Sequence, residues 1–111
     1  MLVIKAPLSL VEIQENHNHF FEKMVKIVVD LEQELIALDA ELHADLEQHL
    51  LETAESKQEN LWGANIYFSP PKLLELTSLI NIRPAQGNKS MSIEDPKIQK
   101  QVQELVEKLI S

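Results

Sequence analysis

From Leu61 to Phe68 the chain reads Leu-Trp-Gly-Ala-Asn-Ile-Tyr-Phe, an alternating aromatic run closed by Pro70-Pro71. Successive side chains on a strand point to opposite faces, and aromatic residues suit a pleated surface, so the run predicts a β-strand. Leu76 to Arg83 is a second such run, stopped by Pro84. Two strands joined across a proline loop predict an antiparallel pair. On the second strand Thr77, Leu79, Asn81 and Arg83 would share one face, and on the first Asn65 and Tyr67 would share one. With matching registers, Asn65, Asn81 and Arg83 would gather on one side of the sheet.

Helices bracket these strands. Ser9-Leu10-Val11-Glu12 has capping-box spacing, and Leu10, Ile13, His17, Phe20, Phe21 and Met24 form a helical stripe after it. His17 lies on that stripe and should pack, whereas His19 should face water. Near the other end Asp95 can cap and Pro96 suits the first helical position. Ile98, Val102, Leu105, Val106, Leu109 and Ile110 then share one side, as core or as a dimer seam. Met1 to Ala6 alternates weakly and predicts a short strand ending at Pro7. These elements predict an α+β fold: a small antiparallel sheet, of about four or five strands, packed with an N-terminal and a C-terminal helix.

The middle admits two readings. Met24, Val28, Leu31, Leu35, Leu38 and Leu42 have heptad spacing, which predicts one long helix able to pair with a partner. Val25, Ile27, Val29 and Leu31 alternate instead, and Ile27-Val28-Val29 is β-branched, which favours strands.

A chain of 111 residues is read as one domain, residues 1–111. It is at the small end of what buries a core, so self-association as a homodimer is expected. The absence of cysteine excludes disulfide scaffolds, thiolate metal sites and cysteine nucleophiles, and fits a cytoplasmic protein. The first residues lack the basic start and apolar run of a signal peptide, and no apolar stretch is long enough to span a membrane.

Net charge is −8, and ten acids but one lysine, Lys57, stand between Asp30 and Glu59. That field repels nucleic-acid backbones and anionic lipid. The nine lysines form no basic cluster, so nucleic acid is not an expected partner. The acidic stretch reads as a solvated face or as a cation site.

Three strings stand out: Glu41-Leu42-His43-Ala44-Asp45, Gln58-Glu59-Asn60-Leu61-Trp62-Gly63-Ala64-Asn65, and Asn81-Ile82-Arg83-Pro84-Ala85-Gln86-Gly87-Asn88-Lys89-Ser90. Together they resemble a small prokaryotic family of single-domain proteins with no established activity. The resemblance runs from about Met24 to the C-terminus. It implies glycines near positions 34, 39 and 40, where this chain has Glu34, Asp39 and Ala40. Glycines there suit turns, so the resemblance implies a β-hairpin over residues 24–43.

On a strand, Glu41, His43 and Asp45 would project from one face, a carboxylate–imidazole–carboxylate set for acid–base work. His43 and Asp45 are then the candidate ligands for a divalent metal. On a helix, Glu41, Asp45 and His49 would align instead. Neither set has a recognised metal-site spacing. Gln58, Glu59 and Asn60 read as a turn into a strand, and Trp62 as core or interface.

Arg83 is the only arginine, and its planar fork suits carboxylate or phosphate. Gln86, Gly87 and Asn88 form a turn whose amides could hold an anion. Asn65, Asn81, Arg83, Gln86 and Asn88 are therefore the candidate ligand-binding set. The competing role for Arg83 is an ion pair with the acidic middle segment that pins the loop. No phosphate loop, dinucleotide fingerprint, serine elbow or zinc ribbon is present.

Two functions follow from these residues. One is a homodimeric module whose polar strings form a hydrogen-bonded network, or bind a small anionic ligand or a protein. The other is a metal-assisted or acid–base hydrolase of a phosphate or carboxylate ester, with the three strings converging on one pocket.

Overall fold

The computed structural model describes residues 1–69 and 71–111. It contains strands β1 (Leu2–Ile4), β2 (Met24–Asp30), β3 (Leu35–Leu38), β4 (Leu61–Tyr67) and β5 (Leu73–Glu75). The helices are α1 (Leu10–Asn16), α2 (His43–Thr53) and α3 (Pro96–Leu109). Single 3₁₀ turns cover Gln58–Asn60, Leu79–Asn81 and Pro84–Gln86. The strands form one antiparallel sheet in the order β1-β3-β2-β4-β5, giving the expected α+β architecture.

The sheet is covered on both faces. Val25, Ile27 and Val29 of β2, Ile36 and Leu38 of β3, and Trp62, Ala64 and Ile66 of β4 form one buried cluster with Ile13 of α1 and Val102, Leu105, Val106 and Leu109 of α3. The alternate residues Val28, Leu35, Ala37 and Leu61 pack on the other face with Leu46 and Leu50 of α2. Strands buried on both sides carry nearly continuous apolar runs. That double burial is why residues 24–38 could equally suggest a heptad.

The hairpin that the resemblance implied is present, with Val28 opposite Ala37 and Asp30 opposite Leu35. The long helix is not formed. Glu34 and Asp39 adopt left-handed backbone angles, φ 54° and 69°. These are two of the three positions where the resemblance implied glycine, the residue that enters this region without steric cost. Both side chains find partners. Glu34 accepts from Lys108 Nζ at 2.9 Å, and Asp39 accepts from the His19 amide at 2.9 Å.

Both caps form. Ser9 Oγ accepts from the Glu12 amide at 3.1 Å, and Asp95 Oδ1 from the Lys97 amide at 2.8 Å. The stripe on α3 is core. The first helix is shorter than its stripe. It ends at Asn16, and Phe20, Phe21 and Met24 lie beyond it. Asn16-His17-Asn18-His19 is a run of weak helix formers, and Asp39 captures both the amide and the ring of His19. His19 is thus exposed but tethered.

The second strand also differs from expectation. β5 is Leu73–Glu75, paired with β4 through Asn65–Glu75, and Leu76 to Arg83 is not a strand. Ser78 Oγ accepts from the Ile80 amide and starts a 3₁₀ turn instead. Pro70, one of the two prolines expected to close β4, lies outside the described residues.

Candidate functional site

The three strings do meet, on β4, and they meet as a network of internal hydrogen bonds. Asn81 is wholly buried. Its Oδ1 accepts from the Gly63 amide at 2.9 Å, and its Nδ2 donates to the Gly63 and Met91 carbonyls at 3.0 and 3.1 Å. This bracket needs close backbone approach. A Cβ at Gly63 would lie 2.5 Å from Ser78 Cβ, so only glycine fits. Asn88 Nδ2 donates to the Asn81, Ser90 and Ser92 carbonyls, while its Oδ1 accepts from the Glu94 amide.

Arg83 is 8% exposed. Nε donates to the Ile80 carbonyl at 3.1 Å, Nη1 to Gln58 at 2.7 Å, and Nη2 to the Leu61 carbonyl and the Glu47 carboxylate. The guanidinium also lies over the Trp62 ring, 4.8 Å from its centroid. Burial lowers its pKa and Glu47 opposes that. Arg83 therefore ties the turn before β4, the following loop and α2 together. The anion fork expected of it is already filled by carbonyls and a carboxylate of the same chain.

The turn amides are filled as well: those of Gln86 and Asn88 donate to the Arg83 carbonyl and that of Gly87, at φ 83°, to the Pro84 carbonyl. Beyond Asn88 the amides of Lys89 and Ser90 bind the Glu94 carboxylate at 2.7 and 2.8 Å. Those bonds, Ser90 first, hold the Glu94 carboxyl below the usual range. Gln86 is exposed and donates to the Glu59 carbonyl at 3.2 Å. Of the five candidate ligand-binding residues, Asn81, Arg83, Gln86 and Asn88 thus hold their partners within the chain.

Glu41, His43 and Asp45 do not share a strand face, because α2 begins at His43. Glu41 and Asp45 line one concavity together with Asp39, His49 and Glu52. That is the alignment of Glu41, Asp45 and His49 expected for a helix. His43 lies on the opposite wall of α2, at a different cavity. Among the described residues no three His, Asp or Glu side chains are arranged to hold a metal ion. His43 and Asp45, the metal pair read from the sequence, line different cavities.

The cavity beside His43 has a volume of about 450 Å³, within the roughly 300–1,000 Å³ range of small-ligand sites. Its polar wall is a cross-strand row on the α2 face, with Lys26 of β2 opposite Asn65 of β4 and Asn65 opposite Glu75 of β5. Leu79, Ile80 and Met91 supply apolar wall. Asn65 Nδ2 donates to Glu75 Oε1 at 2.9 Å, which fixes the amide orientation because a carboxylate only accepts. Oδ1 then has no partner. Among the described residues it is the one buried side-chain polar atom so placed.

His43 Nε2 lies 2.9 Å from the Ala64 carbonyl. A carbonyl cannot donate, so Nε2 carries hydrogen and the neutral ring leaves Nδ1 bare. Burial pushes the His43 pKa down and the Lys26 charge adds to the lowering, while the Ala64 carbonyl and the Asn65 side chain oppose it. The ring is neutral at pH 7. Above it, α2 starts without a side-chain cap, since Leu42 occupies the N-cap. No hydrogen bond within the described chain takes the His43 or Ala44 amide.

Lys26 and Glu75 escaped the sequence reading. The signal for Lys26 was its place as the lone charge among Val25, Ile27, Val28 and Val29. Glu75 became assignable only once β5 was placed before Leu76.

No curated protein and no solved structure matches the chain. Residues 2–109 match the family model described as "Protein of unknown function (DUF5674)", and the chain belongs to that family.

Proposed function

We propose that the protein is a non-catalytic module that binds a small anionic ligand in the cavity between α2 and the β2–β4–β5 face. An unfilled helix N-terminus offers backbone donors and the positive end of a dipole, and Lys26 adds a full charge beside it. The observation that carries the reading is Lys26, which lines this cavity and, among the described residues, forms no salt bridge.

The loop from Asn81 to Ser90 has a structural part in this reading. It braces β4 and carries Ile80 and Met91 to the cavity wall. Self-association belongs to the proposal too. Leu42, Leu79 and Met91 are exposed around the cavity, and pairing two such faces would cover them. The hydrolase reading finds less support, because its three candidate groups stand on two walls.

Thermal unfolding with and without inorganic phosphate or a simple carboxylate tests the module. Ligand at about 100 times its Kd adds roughly 2.7 kcal/mol of stability. The midpoint should rise, and Lys26→Ala should abolish the rise. An unchanged midpoint across both anion series counts against the anionic site. Sedimentation equilibrium tests the dimer separately.

A further inference from the structure

The α2 layer covers only part of its side of the sheet. Leu46 and Leu50 of α2 pack on Val28, Ala37 and Leu61. Further along β2 and β4, two cross-strand rows lie on the same side, Lys26–Asn65–Glu75 and Met24–Tyr67–Leu73. None of these six residues belongs to either buried cluster. Leu73 is 58% exposed, and Leu42, Leu79 and Met91 stand exposed beside the first row, Leu79 at 70%. Exposed apolar residues gathered in one place mark an interaction surface.

The charges on this surface point to its occupant. Lys26 and Glu75 hold the two ends of one row, each one strand spacing, roughly 4.8 Å, from Asn65. Neither forms a salt bridge among the described residues. The Lys26 ammonium lies over Phe21, 5.1 Å from the ring centroid. Glu75 accepts from Asn65 and Tyr67 through Oε1 alone. A two-fold axis through the middle of the row would bring each cation to the anion of a second copy. Isologous interfaces need such a self-complementary pattern, whereas a foreign partner needs no symmetry of this kind. Elsewhere charge opposes association, because the chain carries a net −8 and two copies repel. The six residues of the two rows sum to zero, one lysine against one glutamate.

We propose that this face is the contact between two copies of the chain, paired about a two-fold axis through the Lys26–Asn65–Glu75 row. Each Lys26 meets the partner's Glu75, and the exposed Leu42, Leu79 and Met91 side chains are covered. This rests on the self-association reading above and gives it a register. A small anion at Lys26 then competes with the partner's carboxylate for one ammonium.

Sedimentation equilibrium of the full chain reads the association, with circular dichroism to show that each variant is folded. The parent should dimerise. Lys26→Glu and Glu75→Lys should each weaken the dimer tenfold or more, since like charges meet in place of opposite ones. Mixed together, the two variants should form a heterodimer near the parent's strength, because each supplies the charge that the other lacks. Leu79→Ser, at an exposed position where folding is little affected, should weaken the dimer as well. Two folded variants that fail to associate when mixed, or a Leu79→Ser chain that dimerises as tightly as the parent, would overturn the proposal. A parent that stays monomeric at millimolar concentration would overturn it too, and a thermal midpoint that still rises with phosphate would then leave the anionic site standing.

Discussion

Arg83 shows how a residue type can point to ligand chemistry while its surroundings decide otherwise. A lone arginine in an amide-rich loop suggests an anion clamp. In the folded chain the same planar fork reaches three backbone carbonyls, the Glu47 carboxylate and the face of Trp62. Lysine keeps the charge but lacks the fork and the stacking plane. Arg83→Lys should therefore leave the Gln58 and Leu61 carbonyls underbonded and cost about 3 kcal/mol, given roughly 1.5–3 kcal/mol for each hydrogen bond to a charged group and partial compensation by water. Denaturant titration reads this directly, and a cost below about 0.5 kcal/mol, the usual scatter at surface positions, would show that the bonds are not structural. The loop's composition was legible in the sequence, and so was the acidic partner offered as the alternative. Which acid, and that most partners would be carbonyls, was not, because backbone acceptors leave no mark in a sequence.

At the scale of elements, chain ends were easier to read than the middle. Ser9 and Asp95 caps act within three residues, so their spacing is visible. The length of α1 and the position of β5 depend on distant partners, His19 with Asp39 and Asn65 with Glu75, which no local pattern records. The same long-range contacts make two elements acid-sensitive in separate windows. Burial raises the Asp39 pKa, but the amide and ring of His19 outweigh it, and the carboxyl titrates below its ordinary value. A depressed acid contributes stability that is full above the unfolded value, near 3.9, and is lost as pH falls through the folded one. His43 is depressed mainly by burial at the start of α2. A depressed base is protonated first in the unfolded state, so stability falls as pH drops below about 6.5 and levels beneath the folded pKa. Unfolding free energy should thus decline in two steps on acidification. Asp39→Asn should shrink the lower step, to which the depressed Glu94 carboxyl also contributes, and His43→Gln, which retains a donor for the Ala64 carbonyl, should remove the upper. Urea titrations at a series of pH values check both, and a single step below pH 4 in the parent chain would refute the assignment to His43.

Across the whole molecule, two apolar layers hold the sheet while the surface is strongly acidic. The chain carries 18 acids and ten lysines and arginine. Among the described residues only Arg83–Glu47, Lys100–Glu104 and Lys108–Glu34 are lysine or arginine ion pairs, and the last two are exposed. Exposed pairs contribute roughly 0–1 kcal/mol each, so little attraction offsets the repulsion. The molecule measures 38 × 30 × 23 Å. At 0.01 M salt the Debye length is about 30 Å, and every surface charge acts on every other; at 0.15 M it is about 8 Å, and only neighbours interact. Raising salt between those values therefore removes mostly like-charge repulsion. It leaves the buried Arg83 network nearly untouched, because buried pairs are screened little. Stability should rise by about 1 kcal/mol, a few degrees in Tm. Sodium chloride suits the measurement, since sulfate would also strengthen apolar burial. A Tm that falls over this range would mean that exposed attractions outweigh the acidic excess, and the surface would then have to be organised as pairs rather than as a repelling field.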